Sequence, residues 1–403
     1  MRLGDGDYLS WIKLSLVFGY GSKRMLKMYR HHLSAENFFY ELYYHEEKTA
    51  TEQEMFAARN LPPETVDKIL DTCKELGIKV YCYESEGYPE RLRALANPPA
   101  VLYSFGSLDF LNDEKTKLQF VGSRSPSEYT KKILPNFISP LAKLGFTFVS
   151  GFAEGVDRLT NDLARENMAD NAVFLAEPLD KNPNLDRYRE ISKGGAVISE
   201  FAPGLKLYTP RTYSLRNRLM TCVADALVIC QEGECGKGLD NISYATTLGK
   251  RIYVIPPGDL FDARYFGQRD LLRKGFTPVF SSADIVYNQS KENGLAVDLS
   301  ILDSSENYLY NPTLPPEKKN PKKKPKRVEK NKRYEHKLLT PQMLEDISET
   351  QRQIVYALDN KPLSIDELSL KLKLPAQELV NEITELELDD ILSQDVSKNY
   401  YLL

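Results

Sequence analysis

Four stretches of the chain gather glycine, hydroxyl and arginine side chains at spacings suited to holding an anion. The first is Gln119-Phe120-Val121-Gly122-Ser123-Arg124-Ser125. A short apolar run ends there in a glycine, which permits a tight turn and brings backbone N–H groups forward. Ser123 and Ser125 add hydroxyls, and Arg124 adds a forked cation matched to phosphate. The second stretch, Ser150-Gly151-Phe152-Ala153-Glu154-Gly155-Val156-Asp157, repeats the glycines and closes on an acid. The third begins at Ser199-Glu200 and continues through Arg211, Tyr213, Arg216, Asn217 and Arg218, three guanidiniums within eight residues. The fourth, Gly233-Glu234-Cys235-Gly236-Lys237-Gly238-Leu239, is another glycine-rich turn carrying a cation. Singly each is ordinary, since glycines make turns and arginines pair with acids such as Asp157 or Glu200. Jointly they imply a phosphate-bearing ligand, provided one sheet edge collects them.

The surrounding pattern supplies such an edge. Apolar runs without alternation lie at Leu118–Val121, Phe146–Ser150, Ala172–Leu175, Ala196–Ser199, Ala226–Cys230 and Arg251–Ile255. Strands buried on both faces read this way, and helical segments separate most of them, so the expectation is a doubly wound, mostly parallel α/β sheet. Each glycine- or arginine-rich stretch follows a strand, where ligands sit in such sheets.

Before the sheet, residues 1–77 read as short helices forming a small domain, broken at Gly19-Tyr20-Gly21 and restarted at Asn60-Leu61-Pro62-Pro63. The Gly-Tyr-Gly turn is similar to backbone-holding turns of helix-hairpin-helix modules, but packing is its simpler use. Residues 78–115 form a bridge, with an alternating strand at Ile78–Tyr83, and the Rossmann-like domain as a whole spans 78–289. Residues 290–342 read as a linker; Pro316–Arg333 holds ten Lys/Arg against two Asp/Glu within a chain of net charge −4. That run has almost no apolar residue to bury and reads as a solvated tether, with nucleic acid as a further use. Residues 343–403 carry a capping box at Ser364–Glu367, a helix start at Pro375 and a closing strand at Asn399–Leu402, a winged-helix pattern.

Five cysteines with no C-x-x-C pair fit a reducing compartment, and four histidines give no expectation of a His-based metal site. The apolar run Leu14–Phe18 is too short for a membrane span or signal peptide, so a cytoplasmic protein is expected. The chain shows no Walker A, full dinucleotide fingerprint or His/Cys nucleophile pair, so neither a catalytic residue nor a cofactor is assigned.

These motifs, in this order, resemble the DNA-processing protein A (Smf) family. Gly122-Ser123-Arg124 matches its Gly-Ser/Thr-Arg, and Ser150-Gly151-Phe152-Ala153-Glu154-Gly155-Val156-Asp157 its Ser-Gly-x-Ala-x-Gly-Ile-Asp. Ser199-Glu200 and Arg216-Asn217-Arg218 match its Ser-Glu and Arg-Asn-Arg; Tyr88–Leu92 and Pro98–Tyr103 match its preceding Tyr-Pro-x-x-Leu and Pro-Pro-x-Val-Leu-Tyr. The resemblance covers essentially the whole chain. It implies an extended Rossmann-like fold between a small N-terminal helical domain and a C-terminal winged helix. It further implies single-stranded DNA binding without catalysis, loading of a RecA-type recombinase on incoming strands in natural transformation, and a homodimer formed through the Rossmann domain. It implies that Arg124, Arg216 and Arg218 hold phosphates with loop N–H groups of Gly122 and Gly151. The residues themselves add Ser123, Ser150, Gly155, Arg211, Asn217 and Lys237 to the candidate site, supported by Asp157 and Glu200, with Phe152 and Tyr213 as stacking surfaces.

Three departures bear on that site. Gly236-Lys237-Gly238-Leu239-Asp240-Asn241-Ile242 stands where the family has Ser-Gly-Ser-Leu-x-Thr-Ala, losing two hydroxyls and gaining a lysine. Pro178-Leu179-Asp180-Lys181-Asn182-Pro183 replaces Gly-Leu-Asp with a following Tyr-Pro, and Tyr213-Ser214 replaces Phe-Pro. Two other classes compete with DNA binding. A nucleotide-hydrolysing Rossmann enzyme would use a Pro-Gly-Gly-x-Gly-Thr loop that Gly236-Lys237-Gly238 lacks, and a protein scaffold would need no anion site.

Overall fold

The computed structural model describes residues 5–44, 46–180, 184–205, 211–233, 238–293, 348–358, 362–388, 391–394 and 399–402. Lys237 and most of the expected 290–342 linker lie outside the described residues. Contacts divide the chain into two compact units, Met1–Leu309 and Tyr310–Leu403.

The first unit is built on a nine-stranded sheet in the order β1-β2-β6-β5-β4-β3-β7-β8-β9. The strands are β1 (Lys79–Cys82), β2 (Val101–Phe105), β3 (Lys117–Gly122), β4 (Thr147–Gly151), β5 (Asn171–Phe174), β6 (Gly195–Ser199), β7 (Ala226–Gln231), β8 (Arg251–Val254) and β9 (Thr277–Pro278). From β6 across to β9 all pairs are parallel; β1 and β2 extend the sheet antiparallel beyond β6. The expected strands therefore form within about a residue of their apolar runs. The bridge segment differs: Val101–Phe105, wholly buried, is a strand of the main sheet, paired with β6.

Alternate residues of one strand enter different cores, which is why the runs are continuously apolar. Phe120, Phe148 and Val228 pack with α7 (Glu128–Lys143), α8 (Val156–Glu166) and α13 (Ser282–Asn293). On the other face, Val149, Phe174 and Ile198 meet Leu219, Met220 and Val223 of α10 (Thr212–Val223), while Leu227 and Ile229 meet Ile242 and Ala245 of α11 (Leu239–Thr247). Within the sheet the chain runs from β3 through β4 and β5 to β6, then returns to place β7 on the opposite side of β3. The loops after β3 and β7 thus diverge and open a crevice, the switch point of doubly wound sheets.

The N-terminal helices are α1 (Asp5–Phe18), α2 (Arg24–Tyr29), α3 (Ala35–Tyr44), α4 (Glu52–Arg59) and α5 (Pro63–Leu76). They share an apolar core with the sheet: Trp11, Phe38 and Ile69 cluster with Tyr103, Val173 and Val197. The Gly19-Tyr20-Gly21 turn packs, with both glycines at φ 72°. Tyr20 OH accepts from Ala202 N at 3.1 Å, and its ring meets Phe201 edge-on at 4.8 Å.

In the second unit, α14 (Glu349–Leu358), α15 (Ile365–Leu372) and α16 (Ala376–Leu388) surround one apolar core with a three-stranded sheet, Leu363–Ser364, Asn399–Leu402 and Leu392–Gln394 in spatial order. The Ser364–Glu367 capping box forms as the sequence implies. Two carboxylates of α16 bond the start of α14: Glu382 accepts from Ser348 Oγ and Glu385 from Gln351 Nε2.

Candidate nucleic-acid interface at the sheet edge

The loops after β3 and β4 touch backbone to backbone. Gly155 has φ +88°, and a Cβ there would fall 2.2 Å from Ser123 O and 2.6 Å from Arg124 Cα. Val156 N donates to Ser123 O at 3.1 Å. Only glycine satisfies both the left-handed backbone and the contact. Gly122 has a different reason to be glycine: a Cβ would meet Val156 Cγ2 at 2.7 Å. The β3 loop is further held by Gln231 Oε1 at the end of β7, which accepts from Ser127 N and Thr130 Oγ1, each at 2.8 Å. Ser127 itself caps α7.

Against these loops lies the guanidinium of Arg216, from the second turn of α10. A Cβ on Gly151 would sit 1.4 Å from its Nη1. Its nearest acid is Asp157, 3.7 Å from Nη1, and both side chains are mostly buried, 7% and 15% exposed. Asp157 Oδ2 accepts from Gly151 N at 3.2 Å, and Asn161 Nδ2 donates to Gly151 O at 3.0 Å. Ser150 Oγ hydrogen-bonds Asn161 Oδ1, so Ser150 serves the loop from within the fold. Burial pushes the Asp157 carboxyl up and the Arg216 guanidinium down, each offset in part by the other's charge. Arg216 Nε is buried without a hydrogen-bond partner among the described residues. A guanidinium that is desolvated, contacted by no carboxylate at hydrogen-bond distance and left with an unmatched N–H favours an added anion.

The ring of Tyr213, 53% exposed, lies beside it one turn earlier on α10. Arg124 and Arg216 approach that ring at 5.3 and 5.7 Å from its centroid. Arg124 is exposed. Arg211 occupies the N-cap position of α10, and Asn217 is buried with Oδ1 unpartnered among the described residues. The two other expectations resolve differently. Phe152 packs edge-on against Tyr188 at 5.1 Å, beneath Arg187, so its ring belongs to the core. Arg218 spends its four Nη protons inside the fold: on both oxygens of Glu200 at 3.0 and 2.7 Å, and on the carbonyls of Leu215 and Asn97. That pair is 3% and 2% exposed.

Two features of the crevice carry no local sequence signal. Glu232, just past β7, is buried beside Gly238, where a Cβ would fall 1.9 Å from its Oε2. Burial raises its carboxyl from 4.5 to about 7, against the Gly238 N–H, which favours the anion. Beneath the crevice, Gln119 Nε2 donates to Asn241 Oδ1 at 3.0 Å and Gln119 Oε1 accepts from Thr221 Oγ1 at 3.1 Å, a buried amide bridge tying β3 to α10 and α11. Asn241, in the remodelled family motif, is thereby part of the scaffold.

A family model described as DNA recombination-mediator protein A matches residues 79–290, more than half of the chain. The chain belongs to that family. A second model, the DprA winged helix domain, matches residues 340–395. Among curated relatives, the DNA processing protein DprA of Bacillus subtilis is 25% identical over 231 residues, covering 56% of this chain and 76% of its own. Protein Smf of Synechocystis is 22% identical over 323 residues, covering 78% and 77%. The X-ray structure of DNA processing protein A from Streptococcus pneumoniae shares the fold, with a TM-score of 0.58 at 19% identity over 71% of this chain and 98% of that one. In this DprA-type chain the Arg124–Tyr213–Arg216 group sits at the switch-point crevice of the family's Rossmann-like domain.

Proposed function

We propose that the chain binds single-stranded DNA along the sheet edge and loads a RecA-type recombinase onto strands entering in natural transformation, as a binding protein without catalytic chemistry. The observation that carries this reading is Arg216: a guanidinium buried against Gly151, 3.7 Å from its nearest acid, beside an exposed ring and a second exposed arginine. Cations next to a stacking ring are what sequence-tolerant single-strand binding needs. In this reading Arg124, Arg216 and the loop N–H groups of Gly122 to Gly155 hold phosphates, Tyr213 stacks a base, and Arg211 and Lys237 add charge. Asp157 positions Arg216, and the Arg218–Glu200 pair holds α10. The same proposal takes residues 1–77, 78–289, 290–342 and 343–403 as helical domain, DNA-binding domain, basic tether and winged helix. It also takes the protein as a cytoplasmic homodimer joined through the Rossmann domain. No described helix is long and apolar enough to cross a membrane.

Arg216→Ala is expected to weaken binding of a fluorescent oligodeoxythymidylate and to lower the slope of log affinity against log salt by about 0.7 for the lost phosphate. Gly151→Ala, which displaces the same guanidinium, is expected to match it. Tyr213→Ala should cost about 1–3 kcal/mol with the slope unchanged. Unaltered affinity and slope in folded Arg216→Ala would remove the site from this edge.

The winged helix is expected not to read duplex DNA. Residues 343–403 carry 13 Asp/Glu against 5 Lys/Arg, and α16 has acids at 378, 382, 385 and 387 with no Lys or Arg. Phosphates would be repelled there. Deleting residues 343–403 is therefore expected to leave duplex affinity unreduced in a gel-shift titration at low salt; a marked fall would show that this domain contacts duplex.

A further inference from the structure

The turn after α2, α3 itself and the segment after α3 bring together side chains that the DNA site does not use. His32 is 4% exposed, and its ring lies between two carboxylates: Glu47 Oε2 is 2.7 Å from Nε2, and Glu41 Oε2 is 3.5 Å from Nδ1. One donor atom from each residue can be chosen so that all three lie within 4.8 Å of one another. The ring plane is set by stacking on the buried Phe38, 4.4 Å between centroids and 21° between planes. Glu47 is aimed as well. Its other oxygen, Oε1, accepts from Thr49 N at 2.7 Å and Thr49 Oγ1 at 2.6 Å, which leaves Oε2 turned toward the imidazole.

The decisive observation is at Nε2. Nε2 stands 2.7 Å from a carboxylate oxygen of Glu47, while a Glu41 oxygen faces the ring's other nitrogen at 3.5 Å. An imidazole nitrogen and two carboxylate oxygens converging on one point supply the nitrogen and oxygen donors that a zinc-type ion takes. Donors each ~2.1 Å from one ion stand ~3.0–3.4 Å apart across octahedral to tetrahedral angles. The present 2.7 Å needs to open by only a few tenths of an ångström. The Thr49 hydrogen bonds on Glu47 supply the outer-shell orientation that metal-binding carboxylates require.

We propose that His32, Glu41 and Glu47 bind one divalent transition-metal ion of the zinc type, which ties the α2–α3 turn to the segment following α3. One imidazole and two carboxylates suit zinc or manganese, whereas magnesium avoids nitrogen ligands. The three groups lie on the N-terminal helices that share a core with the sheet, so the ion acts as a staple within the first unit. Counting four histidines gave no reason to expect it; the site needs only one.

The test uses the full-length chain stripped of metal by a chelator, then titrated at neutral pH with Zn2+ against a chromophoric competitor. One Zn2+ per chain is expected, with Mg2+ unable to displace it. His32→Ala should weaken binding at least 100-fold and Glu47→Gln at least 10-fold, while His31→Ala, at the exposed neighbouring residue, should leave it unchanged. Co2+ substituted for Zn2+ should show no thiolate charge-transfer band, which separates this site from the cysteines. Should His32→Ala not fold, Glu41→Gln, at a partly exposed residue, reports the same loss. Absence of stoichiometric Zn2+ binding in the wild-type chain would overturn the proposal. Binding that survives both His32→Ala and Glu47→Gln would overturn it equally.

Discussion

Arg218→Ala is expected to destabilise the first unit by about 3–5 kcal/mol, more than any other single change at the sheet edge. Removing the guanidinium strands Glu200, 2% exposed, without its cation and leaves the carbonyls of Leu215 and Asn97 without their donor. An uncompensated buried carboxylate costs far more than the pair contributes relative to two apolar residues. Accordingly Glu200→Met combined with Arg218→Met should recover much of the loss, which either single change cannot. Urea unfolding followed by the fluorescence of Trp11, buried in the first unit, measures this. If Arg218→Ala leaves stability intact and lowers DNA affinity alone, Arg218 is a phosphate ligand and the division of roles between Arg216 and Arg218 fails.

Glu232→Gln is expected to stabilise the protein by about 3 kcal/mol at pH 8 and by nothing near pH 4. The unfolded carboxyl titrates near 4.5, and in the folded chain burial raises it to about 7. Below 4.5 both states hold the proton, so the acid and the amide are equivalent. Between 4.5 and 7 the unfolded chain ionises while the folded one stays protonated, so rising pH favours unfolding. Above about 7 the folded state carries a buried anion, and the loss levels off. The amide keeps the shape and removes the titration. A stability difference that is flat from pH 4 to 8 would mean that Glu232 is solvated in the folded state. If the sheet edge holds a single strand as proposed, affinity is expected to fall across pH 7, since an anion beside Gly238 repels phosphate, and Glu232→Gln should flatten that dependence too.

Much of this architecture was legible in the residues themselves. Six apolar runs marked the central strands because a strand covered on both faces needs no polar positions. The glycine at 155 was readable as a backbone requirement, and the helix starts at Pro63 and Ser364 followed from local capping chemistry. Strand β2 was not legible as a member of the sheet. Its pairing partner, β6, lies far along the chain, and no local pattern says which edge a strand joins. Glu232 and the Gln119–Thr221–Asn241 bridge were silent for the same reason: a polar side chain acquires its partner, and a carboxyl its burial, only when distant segments close over it.

The arginines show where the division falls. Composition and spacing place cations at the start of α10, which is the ground for proposing that the sheet edge holds phosphate. They could not say which cation is available. Arg216 and Arg218 are two positions apart in one motif, yet at about 100° per residue their side chains leave the helix some 200° apart. Arg216 lies against Gly151 with its nearest carboxylate 3.7 Å away; Arg218 is closed onto both oxygens of Glu200 at 3.0 and 2.7 Å. Charge and turn chemistry are properties of the chain, but desolvation and partner choice depend on what the helix is packed between, and that exists only in the folded protein.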